Sequence, residues 1–136
     1  MRFPIALGLI VVLGSPGLVA SQEDPHLGEL EYEISCLGCH GSEGLGDGPR
    51  AKALKTAPAD LTQIKRRNNG TFPLETVIAL IDGRSLDAAH EERDMPVWGK
   101  RYRAGAATTE SADWIDRRIR AQIAALARYI ESLQED

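Results

Sequence analysis

Residues 27–40 read LGELEYEISCLGCH, an apolar periodicity that runs straight into a Cys-x-x-Cys-His pentad. Leu27, Leu30, Ile34 and Leu37 recur at spacings of three and four, which is one face of an α-helix. The spacing predicts a helix over 27–38. Gly28 sits inside it at a cost in helix propensity. A second helix approaching too closely for a Cβ would give the glycine a purpose.

The chain holds two cysteines, both in Cys36-Leu37-Gly38-Cys39-His40. A disulfide across two residues closes a tiny strained ring and belongs to redox catalysts, not to structural staples. A dithiol oxidoreductase would need a βαβ context, and a helical pattern leads into the pentad instead. A zinc site would need two further ligands, for which His26 and His90 are the remaining histidines; no second cysteine pair exists. A c-type haem attachment accounts for all five residues at once. Each thiol would form a thioether to one haem vinyl group, and His40 would ligate the iron. Once Met1 is lost with a leader, Met95 is the single methionine left, in Asp94-Met95-Pro96-Val97-Trp98. A thioether is a soft ligand suited to haem iron, and a His/Met pair raises the reduction potential. Pro96 holds Met95 to extended backbone, which suits a loop presenting a side chain. His90, in a polar stretch, and His26, near the N-terminus, are weaker candidates for the sixth ligand.

Outward from the pentad, Gly41, Gly44, Gly46 and Gly48 precede Pro49 and read as a loop packed on a flat cofactor; no Gly-Lys-Ser/Thr ending makes it a phosphate loop. A short helix is expected over 59–67, entered through Pro58, then a turn at Asn68-Asn69-Gly70. Another is expected over 73–81, ended by Gly83. The strongest pattern is the last: Ile115, Ile119, Ile123, Leu126, Tyr129, Ile130 and Leu133 make one face, and Arg117, Arg118, Arg120, Arg128 and Glu131 the other. That arginine face reads as solvated. No useful strand alternation occurs, so the class is all-α.

The chain has 136 residues, enough for one domain. Residues 1–20 read as a secretory signal peptide: Arg2 is a positive start, an apolar run follows, and Ala20-Ser21 offers a small-residue cut. An uncleaved membrane anchor over 3–20 is the alternative. The domain is then 21–136, and export implies a periplasmic location. Formal net charge is −4, and losing Arg2 makes it −5, which argues against a nucleic-acid partner. Only six aromatic residues lie beyond the leader, thin for a core of this size unless another apolar body fills it.

With these motifs in this order, the chain resembles class I mono-haem c-type cytochromes from about Leu27 to Leu133. The resemblance rests on CLGCHG, GDGP, DMPVWG and LARYI; one departure from it is the segment 100–113, longer than in the most compact members and read against them as an extra loop near the Met95 side. It implies an all-α fold of about four to five helices wrapped around one covalent haem c, with iron held by His40 and Met95. It implies that the Pro49 carbonyl accepts a hydrogen bond from His40, and that Gly28 and Tyr32 meet Leu126 and Tyr129 between the first and last helices. Trp98, Tyr102, Arg50 and Arg101 are candidates for holding the haem propionates. The function implied is single-electron transfer between redox partner proteins, without enzymatic turnover. The alternatives are a haem subunit docked permanently in a larger redox complex, or a peroxidase-like haem protein should Met95 not bind iron.

Overall fold

The computed structural model describes residues 25–84 and 94–135. Residues 1–20 and His90 therefore lie outside the described residues, and the signal-peptide and anchor readings with them. Every regular element among the described residues is helical: α1 (Pro25–Ser35), α2 (Leu37–His40), a 3-10 turn (Ala51–Ala53), α3 (Ile64–Arg67), α4 (Leu74–Asp82), α5 (Trp98–Ala104) and α6 (Ala112–Ser132). The all-α expectation agrees with this, although the described residues hold six α-helices, two of them only four residues long, where four to five were expected. Among the described residues, no helix is long and apolar enough to cross a membrane.

α6 is the spine. Ser111 caps it by accepting from the Trp114 backbone N–H, one of the donors a helix start leaves unpaired. Ile119, Ile123, Leu126 and Ile130 are buried along one face, and Ile115, Tyr129 and Leu133 pack beside them. Leu126 is fully buried. Leu126→Ala is expected to cost about 2–5 kcal/mol, read as a lower denaturant midpoint with an unchanged slope. The arginine face is exposed as expected: Arg118 pairs with Glu110, Arg128 with Glu131, and Arg117 lies 5.9 Å over the Trp114 ring.

α1 crosses α6 closely. A Cβ on Gly28 would lie 2.3 Å from the Ala125 carbonyl oxygen, and the Tyr32 and Tyr129 rings sit 5.3 Å apart beside Leu126. The apolar face read from the sequence is not the buried one, however. Leu27, Leu30 and Ile34 are 42%, 51% and 72% exposed. The side of α1 turned inward carries Gly28, Glu31 and Tyr32, with buried Cys36 just past its end. Gly28 permits the approach that buries Tyr32, whose hydroxyl donates to the Gly41 carbonyl at 2.7 Å. The helix also breaks at Cys36 and resumes as α2, so the helical stretch reaches His40 instead of stopping at 38.

Two further expectations are corrected. Only Ile64–Arg67 of the 59–67 segment is α-helical. The Asp60 carboxylate accepts from both the N–H and the hydroxyl of Thr62, and the Leu61 N–H goes to Gly44, so local side-chain bonds outcompete the first helical turn. Residues 100–113 are not all loop, since α5 runs to Ala104. Its position is fixed by ion pairs: Arg84 bonds Asp82 and Asp116, and Arg103 also bonds Asp116, tying α4, α5 and α6 together. α4 ends as expected at Gly83, which is left-handed with φ of 67°. The turn at 68–70 also holds, with Asn69 and Gly70 both at positive φ.

Candidate functional site

A cavity of about 570 Å³ opens between α2, the 54–61 segment, α4 and the start of α5. Both cysteines, His40 and Met95 line it together, and most of the remaining wall is apolar: Leu54, Leu61, Ile64, Val77, Ile81, Trp98 and Ile130 among others. Its size and character are those of a small-molecule or cofactor site. The break between α1 and α2 delivers the pentad to one end of it. The helical turn gives His40 N–H to the Cys36 carbonyl at 2.9 Å. Cys39 and His40 then face the same space as buried Cys36.

His40 Nδ1 lies 3.0 Å from the Ala59 carbonyl oxygen. A carbonyl can only accept, so Nδ1 carries the hydrogen and the Nε2 lone pair is left for a ligand. Burial lowers the His40 pKa, and the Ala59 bond acts the other way; burial wins, and the ring is held neutral. This is the state in which imidazole binds a metal, with a backbone acceptor fixing the ring. The expectation that Pro49 supplies this acceptor is corrected. Pro49 is exposed on the glycine-rich loop. Gly46 packs against the Pro58 backbone so tightly that a Cβ would lie 2.5 Å from its carbonyl oxygen. That crossing brings Ala59, not Pro49, beneath the ring. None of residues 41–50 lines the cavity, so the loop packs on the chain's own backbone and not on the site.

Met95 reaches the cavity from the opposite side of the sequence. The Asp94 carboxylate accepts from the Thr56 N–H at 2.9 Å, tying the 94–97 segment to the wall at 54–59. Gly83 meets Val97 Cγ1 at 3.2 Å from where its Cβ would be, and α5 begins at Trp98. Of the residues considered for propionates, only Trp98 lines the cavity. Arg101 stacks over Trp98 at 5.1 Å, Arg50 lies against Gly38, and the Tyr102 hydroxyl donates to Glu31 at 2.6 Å. The cation and amide on the wall are Arg67 and Asn68, which the sequence did not single out. His26 sits on the exposed outer side of α1, 3.4 Å from Glu29.

The cysteines do not resemble a dithiol catalyst. Burial pushes the Cys36 thiol up to about 12, with Glu31 and Cys39 adding to the effect, whereas a reactive thiol is lowered by its surroundings. Among the described residues there is no strand to make a βαβ unit. The residues present fit the group that the resemblance implies: two thiols, a neutral imidazole and a thioether line one cavity whose wall is mostly apolar.

No protein-family model matches the chain, and neither the curated proteins nor the solved structures contain a match.

Proposed function

We propose that this chain is a mono-haem c-type electron carrier acting between redox partner proteins in the periplasm, after export directed by residues 1–20. One observation carries the reading: Cys36, Cys39, His40 and Met95, spread over sixty residues of sequence, line one apolar cavity. Cys36 and Cys39 would hold the haem covalently, and His40 and Met95 would ligate its iron. A bound haem supplies a one-electron ferrous/ferric couple. Around it the chain's own side chains would hold the iron and limit water. Val77, Ile81 and Ile130 offer no hydrogen bonds, the Ala59 carbonyl fixes the His40 ring, and the Thr56 N–H holds the Asp94 carboxylate beside Met95. With His40 and Met95 both bound, the iron would have no open site for a substrate, so the reading is transfer and not turnover.

The test is the visible and near-infrared spectrum of the purified protein, oxidised and reduced, with and without Met95→Ala. The wild type is expected to show a reduced c-type spectrum and a weak sulfur-to-iron band in the oxidised form. Met95→Ala is expected to lose that band, lower the potential and admit carbon monoxide or imidazole. An unchanged potential removes Met95 as ligand and returns the chain to the peroxidase-like alternative.

A second reading, a haem subunit docked permanently in a larger complex, has one observation in its favour. Leu27, Leu30 and Ile34 form an exposed apolar stripe on α1, and contiguous apolar surface marks interfaces. The native mass of the protein in extracts separates a free carrier from a subunit.

A further inference from the structure

Glu31 lies on the inward side of α1, and only 7% of it is exposed. Its Oε1 accepts from the Tyr102 hydroxyl at 2.6 Å and the Ser35 hydroxyl at 2.7 Å, and its Oε2 accepts from Gln122 Nε2 at 2.6 Å. Three donors facing its two oxygens are surroundings that suit a carboxylate, an acceptor-only group when it carries its charge. All three donors are neutral. Among the described residues no cation pairs with it. Burying an ion without a counter-ion is unfavourable, and a glutamine could serve the same three neighbours, so packing alone does not explain a charge there.

The network touches the cavity wall twice. Ser35 lines the cavity, and the Tyr102 ring packs 5.8 Å from Trp98, which lines it too. Cys36, the residue after Ser35, lines it as well. We propose that Glu31 is a fixed negative charge behind this wall that lowers the reduction potential of the haem held in the cavity. It rests on the haem reading above and assigns within it a role to a residue that is neither ligand nor attachment point. The oxidised group carries one more positive charge than the reduced one, so a nearby negative charge favours oxidation. A charge buried between helices is poorly screened by salt, which makes the effect a built-in property and not a surface one.

The test measures midpoint potentials of the haem-loaded protein and three variants. Glu31→Gln is expected to raise the potential, increasing the reduced-to-oxidised ratio at fixed ambient potential roughly tenfold, which is ~59 mV for a one-electron couple. The rise should persist in molar salt. The Gln122 amide can rotate to present its oxygen to the new side chain, so the network closes again. Glu33→Gln removes the same formal charge from the exposed side of the same helix and is expected to leave the potential in place. Tyr102→Phe keeps the Glu31 charge but withdraws one donor from it, and is expected to lower the potential. A structural role would predict no such opposite signs. Should Glu31→Gln accumulate without haem, the direction of the Tyr102→Phe shift decides alone. Haem-loaded variants with unchanged potentials overturn the Glu31 assignment only. A wild-type chain without covalent haem overturns the reading beneath it, and the assignment with it.

Discussion

Gly28→Ala is expected to destabilise the fold by about 2–3 kcal/mol, against the normal trend for the same change in a helix. In an open helix the substitution stabilises by roughly 1 kcal/mol, because alanine loses less backbone freedom. Here the added Cβ would stand 2.3 Å from the Ala125 carbonyl oxygen and 3.0 Å from Tyr129 Cβ. The first of these is backbone of α6 and cannot swing aside, so the whole of α1 must retreat. Overpacking of this kind costs about 1–3 kcal/mol and occasionally more. The retreat also loosens Tyr32 and Leu126, both fully buried. Thermal unfolding followed by helical circular dichroism should show a drop on the order of 10–20 °C for a domain of this size. Gly105→Ala is the control: its φ is an ordinary −85°, and its Cβ would meet nothing closer than 3.7 Å. A Gly28→Ala variant as stable as the parent would show that the two helices do not meet as described. Gly28→Val should go further and detach α1, and with it the pentad, from α6.

That contact also shows how far the sequence could be read. α6 was legible because its apolar residues are aliphatic, regularly spaced and buried on one side. α1 carries the same kind of spacing, yet its leucines and Ile34 face outward. Its interior is made by Gly28, Glu31 and Tyr32, with Cys36 just past its end, residues whose buried role a hydropathy pattern undervalues. Close packing chose the face that could approach α6, and aliphatic content did not decide it. The failure at 59–67 has a similar origin. Asp60 and Thr62 hydrogen-bond each other locally, and only a structure shows that this bond displaces the helix.

The site divides along the same line. Cys36, Cys39, His40 and Met95 were legible because each is chemically distinctive, and the cavity brings all four together. The acceptor for His40 was not, since it is a backbone carbonyl nineteen residues away and any residue could supply one. The resemblance pointed to the carbonyl of Pro49, and the structure puts that of Ala59, the residue after Pro58, at the ring. The contact of Gly46 with Pro58 chose between their segments, and no composition or spacing signals it. Glu31 reads in sequence as one more surface acid among Glu29 and Glu33. Its burial depends on α5, which the sequence reading left as loop.

Replacing both cysteines, Cys36→Ser with Cys39→Ser, is expected to abolish covalent haem completely under expression conditions that load the wild type. A serine hydroxyl does not add across a vinyl group, so no thioether can form. His40 and Met95 alone would leave any haem extractable by acid and organic solvent. Each single replacement keeps one thiol and is expected to retain haem through one link, with the weaker retention in whichever variant loses the better-placed sulfur. Cys36 is buried at 6% exposure and Cys39 is only partly so, so the Cys36→Ser variant also removes a packed sulfur from the core and should melt lower. The double variant should melt lower again, because an apolar wall that includes Leu54, Ile64 and Val77 loses the body it packs against. The decisive measurement is the mass of the denatured wild-type chain. A single haem increment, with both thiols blocked to alkylation, is the expected result. Two thiols that alkylate freely after unfolding, with no added mass, would instead make the pentad a dithiol, and burial of Cys36 with its raised thiol would then need a wholly different explanation.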